Sequence, residues 1–174
     1  MKDQLKKLIE EKYLYKKEEE FTLSSGKKSN LYFDIKGLML DPVGAPLVAE
    51  EFEKLITLGN DEVKKIIVLG GLELGAALLA PLMAYRGFQT FVVRKKKKGY
   101  GYDELVIGKL GWGSQVMLID DVITTGNSIE QCKEILYHVC VPFATACIVD
   151  RTGDGEETRK KGKYLSLFKE SDFV

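Results

Sequence analysis

The chain has 174 residues, 45% hydrophobic and 30% charged, which suits one folded domain and excludes a low-complexity or disordered chain. Lys plus Arg (26) equals Asp plus Glu (26), so no net field draws the molecule to nucleic acid or to acidic membranes, and any basic chemistry is local. No apolar run reaches the roughly 18 residues of a membrane span, the start M-K-D-Q is too polar for a secretory leader, and Cys132, Cys140 and Cys147 lack metal or redox spacing. A cytoplasmic protein with reduced cysteines is expected.

Leu5, Leu8, Ile9 and Tyr13 lie near helical spacing among Lys and Glu, predicting an amphipathic helix over residues 3–15. Strand-like runs at 21–23 and 31–35 flank a stretch rich in Ser, Gly and Asn, so an antiparallel hairpin is expected, standing as a hood over one edge. Lys27, Lys28 and Lys36 read as ordinary surface charges. Asp41 as N-cap and Pro42 at the first helical position begin a helix that turns Val48, Phe52, Leu55 and Ile56 inward and ends near Gly59 and Asn60. Residues 66–69 form a buried strand running into G-G-L-E-L-G-A-A at 70–77, with a helix following to about Tyr85. Glycines at a strand's carboxyl end allow close approach to a ligand or a tight turn, but neither G-x-G-x-x-G nor G-K-[ST] is present, so a dinucleotide or Walker site is poorly supported.

A third strand over 88–93 ends in R-K-K-K-K-G-Y-G-Y at 94–102. Five consecutive cations are a solvated loop, a small nucleic-acid patch, or a basic flap hinged at Gly99 and Gly101 that closes on polyphosphate. Residues 103–115 return the chain to V-M-L-I at 116–119, a buried strand. Asp120 and Asp121 sit at its expected end, and Thr124, Thr125, Gly126, Asn127 and Ser128 lead into a helix. A strand, a small-residue loop and a helix N-terminus make an anion site, since backbone N–H groups and the helix dipole both favour phosphate. The two carboxylates can accept hydroxyl hydrogens or hold a hard cation; an ordinary strand-to-helix turn with solvated acids is the plainer alternative. The helix after Ser128 carries Ile129, Cys132, Ile135, Leu136 and Val139 on one face, with His138 in its last turn. With no second histidine, neither a histidine metal site nor a Ser-His triad is expected. Residues 143–149 form another apolar strand closing with Asp150 and Arg151, and 164–168 form a last one. Alternating strands and helices from residue 42 onward imply a parallel α/β sheet, whose ligands sit outside the strands' carboxyl ends. Residues 70–76, 94–101, 120–128 and Arg151 all fall at that rim.

These stretches resemble a known family. D-D-V-I-T-T-G-N-S at 120–128 resembles the signature of type I phosphoribosyltransferases, which bind phosphoribosyl pyrophosphate (PRPP). F-T-L-S-S-G-K-K-S at 21–29 with Y-F-D-I-K at 32–36 resembles the amino-terminal stretch of the orotate phosphoribosyltransferases. R-K-K-K-K-G-Y-G at 94–101 resembles their catalytic flap, and Asp150 with Arg151 their substrate-binding arginine. The resemblance spans residues 21–151 in the family's order. It implies a parallel sheet flanked by helices, with a helix and hairpin hood in residues 1–40, the α/β core in 41–151 and a tail strand and helix in 152–174.

The resemblance also implies the chemistry: transfer of the 5-phosphoribosyl group from PRPP to orotate in UMP synthesis. Arg94, Lys95, Lys98 and Tyr100 would form the catalytic flap and bind pyrophosphate. Asp120 and Asp121 would hold the ribose hydroxyls. Thr124, Thr125, Gly126, Asn127 and Ser128 would cradle the 5-phosphate, and Val122 and Ile123 would complete the PRPP-binding stretch. Thr124 and Arg151 would contact orotate, Arg151 through its carboxylate. Mg2+, held mainly by PRPP and water, and a homodimer sharing the flap across subunits are implied too, with no nucleic-acid or membrane partner. Tyr100 stands where many relatives have histidine, some relatives have lysine at Ser24 and an aromatic-lysine pair near Glu73 and Leu74, and Lys96 and Lys97 have no counterpart. A related transferase for another base and a non-catalytic PRPP-binding regulator are the alternatives.

Overall fold

The computed structural model describes residues 1–22, 28–96, 105–153 and 164–173. The chain opens with α1 (Lys2–Leu8), which continues through a wider π-type turn (Ile9–Tyr13), so the expected amphipathic helix is present but changes pitch. The hairpin follows as β1 (Leu14–Thr22) and β2 (Lys28–Phe33), antiparallel, with Leu14 opposite Phe33 and an irregularity between Lys16 and Phe21. The run at 31–35 does not stay extended to its end. Asp34 accepts a hydrogen bond from the Gly37 N–H at 3.0 Å, and this cap starts α2 (Ile35–Leu40).

Asp41 likewise caps what comes next: its Oδ1 accepts from the N–H groups of Val43 (2.7 Å) and Gly44 (2.9 Å). The helix itself, α3 (Gly44–Thr57), begins past Pro42 and ends at Leu58, whose φ of 49° is left-handed. A short α4 (Val63–Ile66) leads into β3 (Ile67–Leu72) and α5 (Gly75–Tyr85). The remaining elements are β4 (Gln89–Val93), β5 (Val106–Gly108), β6 (Gln115–Ile123), α6 (Asn127–Leu136), β7 (Ala144–Asp150), β8 (Leu165–Lys169) and a 3-10 turn (Glu170–Asp172).

The main sheet runs β5-β4-β3-β6-β7-β8; all its neighbours are parallel except the β4–β5 pair. The expected α/β architecture, a mostly parallel sheet flanked by helices, is therefore present. Along each inner strand side chains alternate between two buried faces. Ile67, Leu69, Met117, Ile119, Ala146 and Ile148 join one core with residues of α1, α2, α3 and α5. Val68, Val116, Leu118 and Cys147 join a second core with Ile129, Cys132 and Leu136 of α6. Burial on both faces explains why these strands read as unbroken apolar runs rather than as alternation.

Three expectations need correction. Residues 103–115 are more than a return: β5 pairs antiparallel with β4, Val106 opposite Val93, and a three-residue strand is too short to show a period. Asp120 and Asp121 lie inside β6 and not beyond it, because parallel pairing with β7 continues through Asp120 opposite Cys147 to Ile123 opposite Asp150. His138 falls outside α6, which stops at Leu136. No helix among the described residues is long and apolar enough to cross a membrane.

Candidate active site

β6 carries the two acids to the carboxyl rim, and the chain then turns through residues 124–126 into α6. Gly126 has φ 75°, a left-handed conformation that favours glycine over any residue with a Cβ. The loop residues 122–128, with Asp120, Lys95 and Gln131, line a cavity of about 220 Å3. Its lining includes the N-terminus of α6, where first-turn N–H groups without intrahelical acceptors and the helix dipole favour an anion. Ile123 is buried in the core shared with α6, and Val122 packs against the core on the other face of the sheet.

The basic segment leaves from the same rim. The Arg94 N–H donates to the Leu105 carbonyl at 2.8 Å, closing the neck of an excursion between β4 and β5. The Lys95 N–H donates to Glu73 Oε1 at 3.0 Å, which ties the segment's first residues to the β3–α5 connection. Lys98 and Tyr100 lie outside the described residues, as do Lys97, Gly99, Gly101, Tyr102 and, in the hairpin, residues 23–27.

Asp120 and Asp121 are 8% and 4% exposed. The Asp121 N–H donates to Asp120 Oδ1 at 3.0 Å. Burial, and then the neighbouring Asp121 carboxylate, push the Asp120 pKa well above the usual carboxylate range. Gly75, at the start of α5, makes the arrangement possible: a Cβ there would stand 2.2 Å from Asp120 Oδ1 and 2.3 Å from Asp121 Oδ1. Gly70 and Gly71 serve packing instead, since side chains there would strike the Phe91 ring and the Ile119 carbonyl.

Sequence reasoning missed Lys36. Its ammonium donates to Asp121 Oδ2 at 2.5 Å from 85 positions away in the chain. Burial works against its charge, but the Asp121 carboxylate outweighs burial and the pKa is raised. It is an ion-pair partner of the acids and not an ordinary surface charge; its only trace in the sequence is its place in Y-F-D-I-K.

Arg151 follows β7 directly, and its N–H donates to the Ile123 carbonyl at 2.8 Å, so it begins beside the 122–128 loop. Its guanidinium lies 5.1 Å from the Phe33 ring centre and donates to Glu170 and to Ser29 Oγ. Glu170 was not singled out from the sequence, because nothing in a charged tail marks one glutamate. The cysteines play no part here. All three are free and buried, and burial, with Asp120 adding, pushes the Cys132 thiol up to about 12, far from a reactive thiolate. Among the described residues no group of three or more His, Cys, Asp or Glu gathers as a metal site.

The geometry thus joins an anion cradle, a buried acid pair, a lysine-bearing rim and a stacked arginine. No protein-family model matches the chain. The orotate phosphoribosyltransferase of Aquifex aeolicus (strain VF5) is 35% identical over 186 residues, covering 99% of this chain and 97% of that protein. The orotate phosphoribosyltransferase of Thermoplasma volcanium is 36% identical over 137 residues, 78% of each chain. The crystal structure of Mycobacterium tuberculosis H37Rv orotate phosphoribosyltransferase in complex with PRPP aligns with a TM-score of 0.74 at 28% identity, over 99% of this chain and 98% of that one. By sequence over nearly its whole length, and by fold, the chain belongs to the orotate phosphoribosyltransferase family.

Proposed function

We propose that the protein transfers the 5-phosphoribosyl group of PRPP to orotate, releasing pyrophosphate and forming orotidine 5′-phosphate, a step of de novo pyrimidine synthesis. The observation that carries this reading is the cavity of residues 122–128 with Asp120 and Lys95 on its wall, in a chain of this family. The 5-phosphate is assigned to the N–H groups of residues 124–128 at the head of α6, and the ribose hydroxyls to Asp120 and Asp121. Arg94, Lys95, Lys98 and Tyr100 are assigned to pyrophosphate, and Thr124 and Arg151 to orotate.

The chemistry asks little covalent work of the protein. As the bond from the anomeric carbon to pyrophosphate lengthens, positive charge grows on the sugar and negative charge on the leaving group. The orotate ring nitrogen supplies the electron pair, so no protein nucleophile is needed. Positioning and charge stabilisation carry the rate. Buried, closely spaced acids suit hydroxyl recognition, and Lys36 offsets one of their charges. Cations at 94–98 suit a leaving group that gains charge.

Mg2+ belongs to this reading. The described residues offer two adjacent hard carboxylates and no third ligand, a donor set that fits a cation bound mainly by PRPP and water. Bound there, it would neutralise charge on the departing pyrophosphate. A homodimer in the cytoplasm, with the 94–101 segment reaching the neighbouring subunit, completes the proposal. Wild-type protein with PRPP and Mg2+ is expected to consume orotate, followed by its ultraviolet absorbance, and to leave adenine, hypoxanthine and uracil unchanged. Turnover of another base in preference to orotate would reassign the substrate, and PRPP binding without turnover of any base would make the chain a regulator.

A further inference from the structure

Arg151 is held from several directions at once. Its side chain is 5% exposed. Nε donates to Glu170 Oε1 at 3.0 Å and Nη2 donates to the same oxygen at 2.6 Å. Nη2 also donates to Ser29 Oγ at 2.8 Å, and the face of the group lies over Phe33. Guanidinium has five N–H donors in a rigid plane, so fixing the Nε and Nη2 edge fixes Nη1 as well. Among the described residues, Nη1 is the nitrogen of that plane left without an acceptor.

The clamp stands on a firm mount. Glu170 opens the 3-10 turn after β8, where the Lys169 N–H donates to Asp172 Oδ2 at 2.8 Å and the Phe173 N–H to the Glu170 carbonyl at 3.1 Å. Phe173 packs edge-on against both Phe33 and Phe168, which joins the tail to the hairpin under Arg151. Ser29 Oγ is itself fixed, accepting from the Leu31 N–H at 3.0 Å.

We propose that Glu170, assisted by Ser29, is a positioning residue that aims Nη1 of Arg151 at the carboxylate of the base. This rests on the orotate reading and deepens it, since it makes the C-terminal turn part of base selection. The ion pair offsets some of Arg151's charge within the protein and fixes the direction of the two N–H donors on Nη1.

The test uses Glu170→Ala, Glu170→Gln and Ser29→Ala, with orotate and PRPP varied separately. Losing hydrogen bonds to a charged group is expected to raise the orotate KM about tenfold in Glu170→Ala and leave the PRPP KM unchanged. Glu170→Gln keeps one acceptor oxygen and should recover part of the loss; Ser29→Ala should show a smaller rise. These two also carry the test if Glu170→Ala fails to fold. An orotate KM that stays the same or falls in the Glu170 variants would overturn the proposal; a fall would mean that Glu170 competes with the base for Arg151. A second readout needs no turnover: the Arg151 Nε–H resonance of the unliganded protein should be slow to exchange and should lose that protection in Glu170→Ala. If wild type does not use orotate, the substrate reading fails by itself, and the resonance decides the clamp, unchanged protection overturning it.

Discussion

The half of the site proposed to hold the phosphoribosyl group, called the phosphate half, occupies one run of chain, residues 120–128, where a strand, a turn and a helix start follow each other directly. The half proposed to hold the base, called the base half, draws Ser29 and Phe33 from the hairpin, Arg151 from the end of β7 and Glu170 from the tail, with 122 positions between Ser29 and Arg151. Forming β6 and α6 already places the first set, so its geometry is settled by local structure. The second exists only when hood, sheet edge and tail have all docked, and it therefore inherits the packing of Phe33, Phe168 and Phe173. A phosphate cradle can be local because backbone N–H groups do the binding. Fixing a planar arginine requires side chains from several directions.

Gly75 is where the apparent self-sufficiency of the phosphate half breaks down. It lies in α5, yet a methyl group there would stand within 2.3 Å of an oxygen of each acid. Gly75→Ala is expected to have the largest effect of the variants considered. The carboxylates would have to rotate away, and displacement on that scale costs about 100-fold in kcat/KM. Overpacking should cost about 1–3 kcal/mol of stability in addition. Steady-state kinetics beside thermal unfolding checks this; full activity in the alanine variant would show that turnover does not depend on where the two acids are held, against their proposed role at the ribose.

Lys36 is the next largest and joins the two halves, since it rises from α2 beside the hood and ends on Asp121. Lys36→Ala is expected to raise the PRPP KM about tenfold, the charge-assisted hydrogen bond to a buried acid being discounted because the lysine side chain is 44% exposed. The orotate KM should move less. If the orotate KM rises more than the PRPP KM, Lys36 belongs to the base half and the division between the halves is drawn in the wrong place.

What could be read from the sequence follows the same division. The D-D-V-I-T-T-G-N-S stretch disclosed its strand, turn and helix because all its signals are local. The parallel sheet was likewise legible from apolar runs alternating with helices. Lys36 and Glu170 were not, because a lysine beside a turn and a glutamate in a charged tail look like solvated residues until the chain brings their partners near. β5 was too short to show a period. The end of β6 was misjudged because two carboxylates resemble a terminus, yet pairing with β7 and the space left by Gly75 let the strand continue. Asp34 hid the start of α2 by ending an aromatic strand run with a cap that itself opens the helix.

The smallest expected effect sharpens the account of the acid pair itself. Asp120 has a folded-state pKa above its ordinary 3.8, from burial first and the Asp121 carboxylate second. Such a group takes up a proton on folding. Its favourable contribution is fully present below 3.8 and is lost as pH rises through the folded pKa. Asp120→Asn keeps an oxygen to accept the Asp121 N–H and removes the like-charge repulsion. It should therefore stabilise the unliganded protein by about 1 kcal/mol near pH 8, gain little near pH 4, and lose activity because an amide holds the ribose hydroxyl less strongly than a carboxylate. Denaturant melts at the two pH values, set beside kcat/KM, read both sides of the exchange. A variant less stable than wild type at pH 8 would mean that Asp120 is paid back within the fold by contacts other than those named here, and that the phosphate half is not strained toward its ligand.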